Sequence, residues 1–442
     1  MNFFNIISSL LSEAINFFVS YNCLNKYCQQ EQNGTLDGHK FDAENQPHLK
    51  ILLLTPYSPY PAHTGAAMRR LTQIQYLGER HSLVVVSFIS LDKQYDLTAR
   101  LKDCCSLTIA VRRRELPILY IGKGSQLINK FNSWKMKRIL KKLSNLNFNI
   151  VLFDSIFMAQ YFSLFPQSYR ILSEHNIEST ILEGTLNIYN QKKVPSSSSQ
   201  KELDLFKEYE NQTWMNFPLR TVVSEIDKKQ LDDRCVIGET IVVRNGIDIK
   251  KINLVNCSLD AKKILFMGEM SYPPNVDAVC YFYQQILPVI WQHAPEFKFC
   301  IAGGNPALEV YDLGKDARIE IIANPEDMSK VAQECSLTVV PLRIGSGTRL
   351  KILHSMAMGL PVVSTTLGCE GLNLIDSLHI SICNEPGKFA QAVIRLNSDY
   401  QFRSSLQKNA RQLVEEYYDW QNIFTEFEKE MLFRYQQALR QN

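Results

Sequence analysis

Lys50-Ile-Leu-Leu-Leu54, followed by the loop Thr55-Pro-Tyr-Ser-Pro-Tyr-Pro-Ala-His-Thr-Gly65 and by Leu83-Val-Val-Val-Ser-Phe-Ile89, decides the fold. Both runs are almost unbrokenly apolar, as strands buried on two faces are; a strand with one wet face would alternate. Residues 66–80 between them have helical spacing. Strand, Pro/Gly loop, helix and strand make a βαβ unit. Outward from it, shorter strands are predicted at 107–111, 150–153, 170–173 and 220–223. A basic helical segment (132–143) and a polar helical region (200–216) lie between them, and the serine run 196–199 predicts a flexible loop. A second series opens at Lys263-Ile-Leu-Phe-Met-Gly268. It predicts strands at 297–302, 318–322, 337–341 and 361–365, and helices at 275–292, 326–334, 348–358 and 388–396. Residues 402–439 read as helical with a break near Asp419. The class is therefore α/β, with two doubly wound, Rossmann-like domains.

The expected division is 1–48 for an amphipathic helix plus polar linker, 49–240 for the first domain, 241–415 for the second, and 416–442 for a terminal helix. A chain of 442 residues is too long for one ordinary core. With 45% hydrophobic and 21% charged residues it is a folding composition, not a disordered one. A formal net charge of +3 argues against a dedicated nucleic-acid surface. Eleven scattered cysteines without CxxC pairs read as reduced thiols of a cytoplasmic protein, with no metal-ligand spacing. Phe3, Phe4, Ile6, Ile7, Leu10, Leu11, Ala14, Ile15 and Phe18 form an apolar stripe opposite polar residues. That pattern fits peripheral membrane contact through residues 1–20, or packing on the protein itself. No run is long enough to span a bilayer.

Ligands of open parallel sheets bind beyond the carboxyl ends of the strands, so candidate residues are sought there. Gly65 opens a helix after the first strand, presenting backbone N–H groups and a positive dipole end. Ser173-Glu-His-Asn-Ile-Glu178 supplies a proton-transfer group in His175, an amide in Asn176 and an acceptor in Glu178. The richest segment is Pro341-Leu-Arg-Ile-Gly-Ser-Gly-Thr-Arg-Leu-Lys-Ile-Leu-His354. Its glycines permit close backbone approach, Thr348 suits a helix cap, and Arg349 and Lys351 add cations within one turn. Together these features predict a diphosphate site. The segment is neither a GxGxxG fingerprint nor a P-loop.

Phe266-Met-Gly-Glu-Met-Ser-Tyr-Pro-Pro-Asn-Val-Asp-Ala278, Gly345-Ser-Gly-Thr-Arg-Leu-Lys-Ile-Leu353, Met356-Ala-Met-Gly-Leu-Pro-Val-Val-Ser-Thr365 and Leu367-Gly-Cys-Glu-Gly-Leu372 occur in the order seen in family-four, or group-one, retaining glycosyltransferases. The Ser173–Glu178 and Arg244-Asn-Gly-Ile-Asp248 segments match in the same order. The resemblance covers about residues 50–440. It implies a GT-B fold: two domains facing a central cleft, with C-terminal helices crossing back to the first.

The resemblance further implies a nucleotide-sugar donor and a carbohydrate or lipid-linked sugar acceptor. The sequence contains no Asp-x-Asp pair, so no metal is expected, and no cofactor; the scattered cysteines and the N-terminal stripe suggest action in the cytoplasm or peripherally at the membrane's cytoplasmic face. His175 becomes the catalytic candidate. Gly65, Arg69, Asn176, Glu178, Gly268, Asn275, Gly303, Asn324, Ser346, Gly347, Thr348, Arg349, Lys351, His354 and Glu370 become donor-binding candidates. The chain departs from the family pattern at Ser346 and His354, which stand where a Glu-x7-Glu pair is usual, and at Glu269, where an Arg is usual. These departures leave open a glycosyltransferase-like binding or scaffold protein, or an epimerase of related fold. If His354 replaces a ribose-binding carboxylate, its protonation near the ordinary imidazole value of about 6.5 would remove the acceptor.

Overall fold

The computed structural model describes residues 22–31, 48–62, 65–90, 100–113, 124–191, 197–255, 261–345 and 348–441. The apolar stripe at 3–18, Ser346 and Gly347 lie outside them.

Seven parallel strands form the first sheet: β1 (Lys50–Thr55), β2 (Ser82–Ile89), β3 (Leu107–Arg112), β4 (Ile150–Asp154), β5 (Tyr169–Ser173), β6 (Leu219–Val222) and β7 (Glu239–Val242). Their order is β3-β2-β1-β4-β5-β6-β7. Six parallel strands form the second: β8 (Lys263–Glu269), β9 (Lys298–Gly304), β10 (Ile319–Ala323), β11 (Leu337–Val340), β12 (Val362–Ser364) and β13 (Ser381–Ile382), in the order β10-β9-β8-β11-β12-β13. Both orders are doubly wound, so each sheet has one switch point: between β1 and β4, and between β8 and β11. Ile51, Leu52, Leu53 and Leu54 are all buried, as are Val84 to Val86, which explains the unbroken apolar runs.

The helices of eight or more residues are α1 (22–31), α2 (Gly65–Gly78), α3 (Trp134–Leu143), α4 (Glu178–Gln191), α5 (Ser197–Trp214), α6 (Glu225–Arg234), α7 (Pro273–Tyr281), α8 (Leu350–Met358), α9 (Pro386–Ser398), α10 (Tyr400–Tyr417) and α11 (Trp420–Gln441). Several differ from the sequence expectation. The serine run does not make a loop through Ser199, because α5 begins at Ser197. The predicted linker begins inside α1, where Leu24, Tyr27 and Cys28 are buried against the first core. The first sheet extends past residue 240, because β7 pairs with β6 through Val242. The helix expected from 275 begins two residues earlier on Pro273, a residue suited to the first helical turn. It then passes through a π-helical stretch, Phe282–Ile286.

Two crossings join the domains. The first runs from Val243 to Asp248. The second is the break between α10 and α11, where Ile247 N donates to Tyr418 O at 2.8 Å and Trp420 N to Ile247 O at 3.1 Å. The crossings therefore zip together as a short parallel bridge. A Cβ on Gly246 would sit 2.7 Å from Tyr418 O, so this contact requires glycine. Helix α10 stays with the second domain, where Gln407 Nε2 donates to Gly359 O at 2.6 Å. Helix α11 lies on the first. His81 Nε2 meets Glu428 Oε1 at 2.9 Å, Tyr76 OH donates to Glu428 Oε2 at 2.9 Å, and Arg434 pairs with Glu239 at 2.6 Å. Among the described residues the cysteines are free thiols, and no helix is long and apolar enough to cross a membrane.

Candidate active site

The two switch points bring different chemistry to the sheet edges. In the first domain, Asp154 is the last residue of β4 and is buried. Its carboxylate takes Arg70 Nε on one oxygen and His175 Nε2 on the other. Burial alone would raise its pKa, but Arg70 and His175 hold it well below the usual carboxylate range. An ionised carboxylate only accepts, so His175 Nε2 carries a proton and Nδ1 is the acceptor of the neutral ring. Burial pushes the His175 imidazole down against the opposing pull of Asp154, keeping the ring neutral. Ser155, next in the chain, is held at φ 75°, a conformation L-residues rarely adopt.

Around this triad, Asn176 Nδ2 donates to Glu178 Oε1 at 3.4 Å, and burial raises the Glu178 carboxyl to about 7. Glu174 is fully committed to structure. It accepts from Ile156 N at 3.0 Å and Trp214 Nε1 at 2.9 Å, and burial raises it to about 8. Arg70 and Asp154 were missed in the sequence. Asp154 ends an apolar run, which the carboxyl-edge rule could have flagged. Arg70 is hidden beside Arg69 and separated from it only by helix rotation. Arg69, a donor-binding candidate, is instead structural. Its buried guanidinium donates to Val243 O (2.9 Å), Arg244 O (2.9 Å) and Asn245 Oδ1 (2.8 Å), and burial lowers its pKa to about 10.

In the second domain, Gly303 and Gly268 lie back to back at the ends of β9 and β8. A Cβ on Gly303 would come within 1.6 Å of Gly268 O, so only glycine fits there. A Cβ on Gly268 would meet Asn275 Nδ2 at 2.8 Å and Lys351 Nζ at 3.0 Å. Lys351 Nζ donates to Asn275 Oδ1 at 2.7 Å and lies 4.1 Å from the Phe266 ring centroid. Burial, then the neighbouring Arg349 charge, lower its pKa well below the ordinary lysine value; no carboxylate offsets them. Burial also lowers Arg349, which feels Tyr272, Glu370 and Asp227. Glu370 is raised by its own burial, against the pull of Arg349.

Other candidates behave differently from expectation. Thr348 does not cap α8. Arg349 occupies the cap position, and Thr348 Oγ1 instead accepts from Asn245 Nδ2 at 2.6 Å. His354 is half-buried and its pKa falls to about 4 through burial, so its proton leaves far below the 6.5 expected from sequence. Asn324 is exposed in a turn at φ 51°, its Oδ1 accepting from Asn305 N at 3.3 Å. Glu269, standing where an Arg was expected, accepts from Ser271 Oγ at 2.6 Å and Asn305 Nδ2 at 3.2 Å.

The two halves meet. A Cβ on Gly65 would lie 2.8 Å from Leu350 Cδ1, and one on Gly371 would lie 2.8 Å from Ser224 Cβ and 2.9 Å from Thr348 Cγ2. Tyr272 of the second domain is raised to about 12 by burial and by Glu178 of the first. The first domain thus supplies a neutral, oriented imidazole and the second a desolvated cation pair.

Residues 261–399 match the family model of glycosyl transferases group 1. Over these residues the chain is similar to the group 1 glycosyl transferases. The group 1 domain contains the Gly268, Asn275 and Lys351 cluster. An uncharacterised 44.6 kDa protein in the cps region of Klebsiella pneumoniae is 23% identical over 405 residues, covering 86% of this chain and 99% of that protein. An uncharacterised glycosyltransferase of Methanocaldococcus jannaschii is 27% identical over 46% of this chain and 58% of its own length. Among solved structures, sucrose-phosphate synthase from Thermosynechococcus elongatus superposes with a TM-score of 0.65 at 14% identity, covering 89% of this chain and all (100%) of that one. Anabaena HepE in complex with UDP and glucose gives 0.62 at 14%, covering 87% and 99%. These likenesses establish the GT-B fold of this chain.

Proposed function

We propose that the protein moves a sugar from a nucleoside-diphosphate donor to an acceptor hydroxyl with retention of configuration, in polysaccharide assembly. It would do so in the cytoplasm and without a metal ion. One observation carries the reading: Lys351 and Arg349 are half-buried close to one another in the second domain, with Lys351 beside Gly268 and Asn275. Two half-buried cations at a helix start are costly alone and are stabilised by a dianion. The diphosphate would lie on them. As the bond from the anomeric carbon to the phosphate oxygen breaks, negative charge grows on that oxygen, and the same cations stabilise it more strongly. That electrostatic role is what a metal would otherwise supply. The acceptor oxygen would bond to the anomeric carbon on the face the diphosphate leaves, and its proton would pass to the departing phosphate oxygen.

His175 Nδ1 and the Glu178 carboxylate would accept hydrogen bonds from the transferred sugar, and Asn176 would hold Glu178. Gly65, at the start of α2, would leave room for the donor. Uridine diphosphate is the first base to test: HepE is solved with UDP, and Staphylococcus aureus TarM with UDP and alpha-GlcNAc-glycerol. The cps-region relative supports a polysaccharide product.

The test is product analysis with UDP-, GDP-, ADP- and TDP-sugars, with and without EDTA. The expected result is EDTA-resistant release of one nucleoside diphosphate, with anomeric configuration kept in the product by NMR. Complete, magnesium-reversible loss would overturn metal independence, and an inverted product would overturn retention. Tight donor binding without turnover of any sugar would favour a binding protein.

A further inference from the structure

Gly184 lies inside α4, six residues after Glu178. Its backbone is ordinary helix, which any residue adopts, and glycine there costs helix stability relative to alanine. What glycine provides is room. A Cβ at 184 would lie 2.9 Å from Ile344 Cγ2, well inside the about 3.5–4.0 Å of a carbon–carbon contact. Ile344 belongs to the second domain, stands directly before Gly345, and is only 4% exposed. A first-domain helix is thus the seat of a side chain at the start of the segment assigned to the diphosphate. Ile344 is β-branched and stiff at χ1, so it cannot swing away from an added atom without leaving its favoured rotamer.

Both sides of this contact are anchored. Helix α4 is fixed to its own domain where Ser179 N donates to the buried Glu210 at 3.1 Å and Arg234 Nη1 donates to Ser179 Oγ at 3.0 Å. On the other side, Arg343 donates to the Asp277 carboxylate of α7 through Nη2 at 2.6 Å and Nε at 3.1 Å, and Thr365 Oγ1 donates to Leu342 O at 2.6 Å. Leu342 and Arg343 therefore tie the segment to the second domain, and the next residue ties it to the first. The far flank repeats the arrangement, with Thr348 held by Asn245 and Leu350 against Gly65.

We propose that Ile344, seated on Gly184, is a positioning residue for sugar transfer: through it α4 sets the distance between the diphosphate segment and the Glu178 carboxyl at its own start. This rests on the transfer reading above and deepens it. Gly184 lies about 9 Å along the helix from Glu178, and a helix of this length moves as a rod. Displacing Ile344 therefore changes the spacing of two groups without removing either. A wedge at 184 leaves Lys351 and Arg349 able to hold a bare nucleoside diphosphate and misplaces the sugar attached to it. Misplacement of a reactant by about 1 Å costs on the order of a hundredfold in rate.

The contact is tested first without substrate. A Cβ at 184 would lie 3.9 Å from Ile344 Cβ, a separation that a disulfide spans. G184C/I344C should form a 184–344 cross-link under mild oxidation, mapped by mass spectrometry of the digested chain, and neither single variant should form it. Its role is then read by titration and kinetics. G184V should bind UDP, GDP, ADP or TDP as the parent does and yet lose at least about tenfold in kcat with the matching sugar nucleotide. G184V/I344A removes the clash and should recover most of that loss. Failure of G184C/I344C to cross-link would overturn the proposal. So would a parental kcat in G184V, or equal losses in G184V and G184V/I344A. Cross-linking in a chain whose parent turns over no sugar nucleotide would contradict the transfer reading itself, and the positioning role with it.

Discussion

The charge clusters of the two domains are built in opposite ways. In the first domain Arg70, Asp154 and His175 satisfy one another, so the site is set before any ligand arrives. In the second domain Lys351 and Arg349 lie together, with an amide and an aromatic ring beside the lysine. The first cluster is bought with folding energy that its own members return. The second is a standing cost that an anion relieves. On the proposed function, the contrast would separate the part that orients a sugar from the part that holds and receives charge.

The sharpest way to break this contrast is through stability. Asp154→Ala leaves Arg70 buried without its carboxylate and should destabilise the protein by about 3–5 kcal/mol. Lys351→Met removes a desolvated cation and should leave the midpoint of urea unfolding unchanged or raised. Equal destabilisation by both variants would erase the distinction. Binding should show the reverse pattern. Lys351→Met and Arg349→Ala should each weaken donor binding by about 1.5–3 kcal/mol, the usual worth of a charge-assisted contact. Equilibrium titration of each variant measures it.

A smaller effect comes from Glu178. Its carboxyl is raised to about 7 in the fold, so it keeps its proton while the unfolded chain ionises near the ordinary value. Its contribution to stability is therefore present at low pH and lost as pH rises through 7. If the ionised form accepts sugar hydroxyls, donor-sugar affinity should rise up to about tenfold from pH 6 to pH 8. Glu178→Gln should flatten that profile; a variant retaining the full rise would remove Glu178 from the sugar site. Asn245→Ala cuts the link from the first crossing to Thr348 and should cost about 1 kcal/mol in kcat/KM for the donor, seen by steady-state kinetics. The smallest effect concerns His354. With its pKa near 4, donor affinity should not change on its account between pH 8 and pH 5.5. A wild-type drop near 6.5 that vanishes in His354→Ala would contradict this.

The fold was legible because buried parallel strands leave apolar runs that no polar-faced element imitates. Ile51 to Leu54 and Ile264 to Phe266 were read correctly for that reason. Short edge strands escaped: β7 is four residues with an exposed Glu239 at its start, and β13 is two. Lys351 was singled out from its place at a helix start, and Gly268 and Asn275 only from the family resemblance; the structure brings the three together. Arg69 was misread because sequence distance cannot tell which way two adjacent arginines point. One step around α2 sends Arg70 to Asp154 and Arg69 to the crossing. The partner of His175 was not visible because Asp154 is 21 residues away on a different strand. The depressed proton affinities of Lys351 and His354 come from burial, which a residue's name does not carry.

The central claim, that Lys351 receives the donor diphosphate, is tested most directly by calorimetric titration with the tightest-binding of UDP, GDP, ADP and TDP. Titrations at one mildly alkaline pH, in two buffers of different ionisation enthalpy, report protons exchanged on binding. Burial depresses the Lys351 pKa, and a bound dianion restores it. The wild type should therefore take up protons as the diphosphate binds, while Lys351→Met binds at least tenfold more weakly and takes up none. Binding by Lys351→Met as tight as the wild type's, with the same proton uptake, would contradict the account.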